Sequence, residues 1–430
     1  MTMTSYNKSY YDPHKIKKEL DSYVLGQEQG TKSIAMAVAQ HLMSKYASDG
    51  QTDNVMLIGP TGCGKTETFR CLQRLEKKWE CPVLMVNVMD YAATKSWQGE
   101  SITDIFKKVA DRAAEIYNEV LYDSEDSQEE QKEYIQNIAN HAIILLDEFD
   151  KIAIGGDGKS RQFIKEYQSN LLKIIEGNTY DLGSIPFERE VDRTDSYTGR
   201  RVKEREGVLL TDMSVDTTHM LFIMLGAFEG LKEITVARLE KERLANDPDK
   251  IYRSSLYQNT NLGFMATPRS VKQETHYTYE QLIPSTEDLI EYGFMRELIG
   301  RITIRTVYKH LNEDALVDIM LNSKTSAYRD YQKKFRRIHH DMRCSRSALR
   351  EIARVAVQRG AGARGLRTVF SELLSDTWYD LAGTTRNKLR VLLRGKEIKE
   401  HRPPLLHVID RKEQEKRRKL FHLLKRPFGY

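Results

Sequence analysis

Eight residues constrain this chain more than any others: Gly59-Pro60-Thr61-Gly62-Cys63-Gly64-Lys65-Thr66. They follow a short apolar run, Val55-Met56-Leu57-Ile58, and precede a helical pattern from about Lys65 to Lys78. G-x-x-x-x-G-K-T between a strand and a helix is the setting in which that pattern cradles phosphate. Glycines let backbone N–H groups turn inward around phosphate oxygens, and the positive end of the following helix adds to the pull. Lys65 supplies a point charge for the β- and γ-phosphates, and the Thr66 hydroxyl can ligate Mg²⁺. All eight are candidate nucleotide-binding residues.

The partner motif is Ile143-Ile144-Leu145-Leu146-Asp147-Glu148. Two carboxylates at the end of an apolar strand are costly unless they meet a cation or a reacting water. Asp147 is the candidate for the Mg²⁺ shell, partly through water. Glu148 is the candidate for orienting and deprotonating an attacking water. Loop and strand end together predict hydrolysis of ATP with Mg²⁺, carried by Lys65, Thr66, Asp147 and Glu148.

The rest of the chain is patterned to support such a site. Two helices broken at Gly26 are expected over 13–48, strands at 83–88, 142–146 and 220–225, and helices near 101–121 and 161–176. Strands alternating with helices predict an α/β fold, a parallel sheet covered on both faces. The acidic stretch 123–133 reads as a solvated loop or an exposed helix face. Residues 178–207, polar and charged with scattered Gly and Pro, read as an insertion leading away from the core. From about 311 to 393 the periodicity is mostly helical, with one strand candidate at Leu389–Leu393, which predicts a smaller α+β domain. The expected division is an N-terminal extension (1–12), a large ATPase domain (13–309), a small domain (310–400) and a tail (401–430).

Composition narrows the partners. The 430 residues are 40% hydrophobic and 30% charged, enough for a packed core. The formal charge of +5 invites a nucleic-acid reading until it is located. Residues 411–430 hold eight basic and two acidic residues, so the tail carries +6 and the first 410 residues sum to −1. A near-neutral body disfavours a nucleic-acid motor. No apolar stretch approaches the ~18–20 residues that span a bilayer, and the first residues lack the apolar region of a secretory signal. The four cysteines form no CxxC pair, which points to a cytoplasmic chain with no zinc and no disulfides.

The order of these motifs resembles the AAA+ family and, within it, the ClpX protein unfoldases of the Clp/HslU group. The resemblance runs from about Pro13 to Leu393. Tyr23-Val24-Leu25-Gly26-Gln27 is similar to the segment that packs on the adenine, which implicates Val24 and Leu25. Asp147-Glu148-Phe149-Asp150-Lys151-Ile152 resembles the family's Walker B signature, and LLKIIEG at 171–177 the helix that follows. LGAFEGL (225–231), EDLIEY (287–292) and ELIGR (297–301) continue the match, and Gly362-Ala363-Arg364-Gly365-Leu366-Arg367 is similar to the sensor-2 segment. The resemblance implies a homo-hexameric ring acting on protein substrates. In such a ring Arg301 would be the arginine finger reaching a neighbour's γ-phosphate, and Arg364 would contact the nucleotide of its own subunit. Both roles suit a guanidinium, which stays charged and meets phosphate with forked donors.

The same resemblance assigns output loops. Ser96-Trp97-Gln98-Gly99 stands where the family has a Gly-Tyr-Val-Gly pore loop, so Trp97 would grip a threaded chain. Leu262-Gly263-Phe264 is similar to the loop that docks on a ClpP-type peptidase. Four features depart from the pattern. Two N-terminal CxxC pairs are lacking, the stretch 155–168 has no Ser-Gly-Glu-Gly, the charged insertion is long, and Cys63 replaces a common serine. A remodelling chaperone working without a peptidase is the alternative reading. The tail segment RKEQEKRRKLFHLLKR (411–426) reads as a solvated helix or a docking segment for a partner.

Overall fold

The computed structural model describes residues 11–45, 52–92, 102–121, 127–153, 160–194, 201–245, 282–383 and 388–409. The chain divides into two compact units. The first comprises 1–20, 29–60 and 65–308, and the second 21–28, 61–64 and 309–430.

In chain order the strands of the first unit are β1 (Val55–Ile58), β2 (Val83–Asn87), β3 (Ile143–Asp147), β4 (Thr179–Thr194), β5 (Arg201–Asp216), β6 (Leu221–Gly226) and β7 (Ile304–Val307). Five form one parallel sheet in the order β2-β3-β6-β1-β7. The central strands β1 and β6 are buried at every position. Both of their faces are covered, which is why they read as unbroken apolar runs rather than alternations. The chain runs from β1 out to β2 and returns through β3 to β6, so β1 marks a switch in strand order. In open α/β sheets ligands bind in the crevice outside the carboxyl ends at such a switch.

The expected helices form, with altered limits. The helix after β1 spans Lys65–Gln73 and is followed by a separate turn, Glu76–Trp79, closed by Glu80 in the left-handed conformation (φ 49°). The next runs Ile102–Ile116 and loosens into a π-helical turn at Tyr117–Leu121. The described part of the acidic stretch lies in the first turns of a helix, Gln128–Asn140. Its start is set by a capping box in which the Ser127 hydroxyl accepts from the Glu130 N–H and the Glu130 carboxylate accepts from the Ser127 N–H.

The charged segment differs from expectation. Residues 179–194 and 201–216 form a long antiparallel pair of strands, β4 and β5, and its near half belongs to the core. Leu182, Ile185, Phe187, Leu210, Met213 and Val215 are buried, and Tyr180 stacks on Phe106 at 4.5 Å between ring centres. These buried residues are interleaved with exposed ones such as Ser184, Pro186 and Asp212, so averaging over both faces hides the buried side. Shifts in register around Gly183 further break the alternation.

The second unit is a small, mainly helical α+β assembly, as expected. Helices Glu313–Asn322, Ala327–Arg337, Arg346–Gln358 and Gly362–Ala382 pack around Leu316, Phe335, Ile352, Phe370 and Leu374. Asn312, Ser326 and Ser345 each cap a helix by accepting an N–H of its first turn. Beside them lies a sheet of β8 (Asp341–Cys344), β9 (Leu389–Leu393) and β10 (Leu405–Val408) in the order β10-β9-β8. Only β9 was legible. Four-residue strands such as β8 and β10 are too short to establish a period.

Candidate functional site

The phosphate loop leaves the carboxyl end of β1, where the Gly59 N–H donates to the Gly226 carbonyl at the end of β6 (3.1 Å). Gly62 (φ 76°) and Gly64 (φ 116°) flank Cys63 with positive φ angles, the succession that turns neighbouring N–H groups into an anion-binding nest. The Lys65 ammonium donates to the Gly59 carbonyl and, at 2.9 Å, to that of Pro60. Its charge therefore lies back along the start of the loop. Thr66 stands in the first helical turn, and Thr68, two residues on, shares a 2.8 Å hydrogen bond with the Tyr308 hydroxyl.

The boundary between units runs through this loop, and Thr61–Gly64 group with the second unit. There the Ala363 N–H donates to the Gly62 carbonyl (3.0 Å). A Cβ on Gly62 would stand 2.3 Å from the Ala361 carbonyl oxygen, so only glycine fits. Cys63 is buried, and its carbonyl accepts from Gln27 Nε2 (3.3 Å). Val24 is buried and Leu25 half-buried in the same unit. Arg364 lies in the first turn of helix Gly362–Ala382 with its side chain exposed.

At the end of β3, Asp147 pairs in register with Asn87 of β2 and is half-buried. Its Oδ1 accepts the Glu148 N–H (3.0 Å). Glu148 is exposed and sits in the left-handed region, φ 57° and ψ 31°. A non-glycine residue there costs on the order of 1–2 kcal/mol. The strain turns the chain sharply as it leaves the strand, into a 3₁₀ turn over Phe149–Ile152. Asp150 is buried against Gly226, where a Cβ would come within 2.6 Å of its Oδ1. Burial, reinforced by Asp150 and Glu229, pushes the Tyr292 hydroxyl up to about 12.

Arg301 ends the short helix Arg296–Gly300. Its Nε and Nη2 donate to Glu176 Oε1 at 3.0 and 2.6 Å, in an exposed pair. The Arg301 carbonyl accepts from Asn54 Nδ2 (3.1 Å), and Asn54 Oδ1 accepts the Phe222 N–H (3.0 Å). Arg301 is thus fixed by its backbone to the start of β1 and β6 while its guanidinium stays at the surface. Trp97, Leu262, Gly263, Phe264 and the 411–430 tail lie outside the described residues.

Three buried amides escaped the sequence reading: Gln27, Asn54 and Gln168. Gln168 Nε2 donates to the carbonyls of Ile152 (2.7 Å) and Gly293 (3.1 Å), and its Oε1 accepts the Met295 N–H (2.8 Å). It joins the turn after Glu148 to the segment leading to Arg301. Gln27 had a signal, its place directly after Gly26 (φ 78°). Asn54 and Gln168 had none, because a single polar residue beside an apolar run is uninformative.

These residues suit a nucleotide with Mg²⁺. The nest presents N–H donors, Lys65 adds a cation, and Thr66 and Asp147 offer hard oxygen ligands of the kind Mg²⁺ takes alongside phosphate and water. Among the described residues no group of three or more His, Cys, Asp or Glu could hold a metal ion by itself. A separate groove of 780 Å³ runs beside the edge strand β2, lined by Val83, Leu84, Met85, Lys108 and Arg112 among others. Arg112 there pairs with Glu76 and Glu115, so its charge is already balanced.

A five-stranded parallel sheet, a phosphate loop on its interior strand β1 and an acidic strand end define an ATPase of the P-loop class. Residues 51–305 match the model of the AAA domain (Cdc48 subfamily), and the chain belongs to that family. It is ClpX-like. Over 396 residues it is 28% identical to the ATP-dependent Clp protease ATP-binding subunit ClpX of Treponema denticola, covering 90% of this chain and 81% of that relative. Among the described residues no helix is long and apolar enough to cross a membrane.

Proposed function

We propose that this chain is an ATP-driven protein unfoldase and translocase of the ClpX type. It works as a homo-hexameric ring and threads polypeptide substrates through the pore into a ClpP-type peptidase. The observation that carries the reading is similarity to ClpX along 90% of the chain, through both units. In this reading ATP is held by the 59–66 loop with Val24 and Leu25 at the base, and Mg²⁺ by Thr66 and Asp147. Glu148 activates water, Arg364 contacts the nucleotide of its own subunit, and Arg301 completes the site of the neighbouring subunit. Arg301 fits that role because its guanidinium is exposed and, among the described residues, pairs with Glu176, which is itself at the surface. An exposed pair of this kind is worth roughly 0–1 kcal/mol and is readily exchanged for a phosphate. Trp97 would push on the substrate and Leu262-Gly263-Phe264 would dock the peptidase.

The test mixes a tagged unfoldable substrate, ATP and a ClpP-type peptidase with wild type, Glu148→Gln and Phe264→Ala. Degradation lost in both variants supports the reading. Unfolding by wild type that neither engages the peptidase nor responds to Phe264→Ala supports instead a remodelling chaperone. The altered pore stretch Ser96-Trp97-Gln98-Gly99 leaves room for that second reading.

A further inference from the structure

The Gln27 side chain is 3% exposed and touches only backbone through its recorded hydrogen bonds. Its Oε1 accepts the Lys309 N–H at 2.7 Å, and its Nε2 donates to the Lys309 carbonyl at 2.9 Å. Lys309 offers one donor and one acceptor, so this double bond fixes which end of the carboxamide is oxygen. Turning the amide over would set NH₂ against N–H and oxygen against a carbonyl. With one Nε2 hydrogen on Lys309, the second has a defined direction, and there lies the Cys63 carbonyl at 3.3 Å.

That carbonyl shares a planar trans peptide with the Gly64 N–H. Holding the C=O on one side therefore aims the N–H to the other. The preceding peptide is held in the same way, because the Gly62 carbonyl accepts the Ala363 N–H and so aims the Cys63 N–H. Two successive peptide planes in the phosphate loop are thus oriented from their carbonyl side, one by a backbone group and one by Gln27. We propose that Gln27 is a positioning residue for nucleotide binding: it holds the Cys63–Gly64 peptide so that the Gly64 N–H faces phosphate, and ties that peptide to Lys309. The proposal rests on the reading of residues 59–66 as the nucleotide site.

Pre-aimed donors lower the reorganisation needed to bind an anion, so the loss falls on affinity. Gln27→Met keeps the volume and removes all three hydrogen bonds. It should raise the KM for ATP, and the Kd for the fluorescent analogue mant-ADP, by about tenfold, as a misaligned buried hydrogen bond does. The kcat should stay within about threefold. Ser323→Ala is the control for mere loosening of the 21–28 segment, because Ser323 Oγ donates to the Tyr23 carbonyl (3.3 Å) away from the loop. It should leave KM unchanged.

Gln27→Glu adds a readout that a structural role would not move. It keeps the acceptor for Lys309 and loses both donors, and it regains one donor when its carboxyl is protonated. Its KM defect should therefore shrink as pH falls from 8 to 6, relative to wild type. A folded Gln27→Met with wild-type KM, or a Gln27→Glu defect that does not change with pH, would overturn the proposal. Lys65→Ala separates the two levels. If it still binds mant-ADP normally, the site assignment itself fails. If it loses binding while Gln27→Met does not, only the role of Gln27 fails.

Discussion

The two rims of the first unit's parallel sheet use polar residues in opposite ways. At the carboxyl rim, β1 and β3 end in Gly59 and Asp147-Glu148, where charge is at or near the surface. At the amino rim, Cys81 precedes β2, His141 precedes β3 and His219 precedes β6. The Cys81 thiol and His41 Nε2 both lie 2.9 Å from the His141 carbonyl, and His141 stacks on His219 at 5.7 Å. Burial pushes the Cys81 thiol up to about 12 and His41 down to about 4. Cys81, His41 and His141 resemble a reactive cluster in type, yet burial disfavours the charged form of each. Residue type alone does not locate chemistry; the free energy of charging does.

The comparison can be broken at either rim. The largest effect should come from Glu148→Gln, which keeps size and left-handed backbone but removes the proposed base. Hydrolysis should fall by about 10²–10⁴-fold in a phosphate-release assay, with ATP binding preserved. Glu148→Gly should also abolish hydrolysis yet raise stability by about 1 kcal/mol in urea titration, because glycine relieves the strain at φ 57°. Losing both activity and stability would mean that the turn is not strained.

Next comes Arg301→Ala, expected to cut hydrolysis by about 10³-fold if the finger acts in trans. Folding should change by less than about 1 kcal/mol, since its pair with Glu176 is exposed. Mixing it with active subunits should restore part of the rate, which a residue acting within its own subunit would not do.

The amino rim should respond to pH instead. His41 binds a proton at an ordinary 6.5 when unfolded and only near 4 when folded. The unfolded state thus takes up more protons below pH 6.5, and stability declines as pH falls from about 6.5 to about 4. The loss approaches ~3 kcal/mol. Burial is the main cause; the hydrogen bond to the His141 carbonyl opposes it, and the charges of His141, Lys45 and His219 add to the lowering. Urea midpoints at pH 7.5 and 5 should converge in His41→Gln relative to wild type. The smallest effect belongs to Cys81. Its thiol should resist iodoacetamide at pH 8 until the protein unfolds, and Cys81→Ala should leave ATPase rates unaltered.

The carboxyl rim was readable because its chemistry demands special residues at fixed spacing. Gly62, Gly64 and Lys65 cannot be exchanged without losing φ angles or charge, so the pattern survives in one sequence. The apolar strands were readable for the same reason, as both of their faces are buried. What escaped depends on contacts between distant positions. Gln27 meets Lys309 across 282 residues, and Gln168 meets Gly293 across 125. The paired strands β4 and β5 were obscured because buried and exposed residues are interleaved along them. β7, with Arg305 and Thr306 on the edge of the sheet, lacks the fully apolar run of the central strands.

The proposed mechanism places the activation of water on one residue at the end of β3, Glu148. Measuring ATP hydrolysis and mant-ADP affinity side by side for wild type and Glu148→Gln tests it most directly. The expected result is a rate reduced by at least about 100-fold with affinity within about threefold. Hydrolysis at the wild-type rate in a folded Glu148→Gln protein would contradict it.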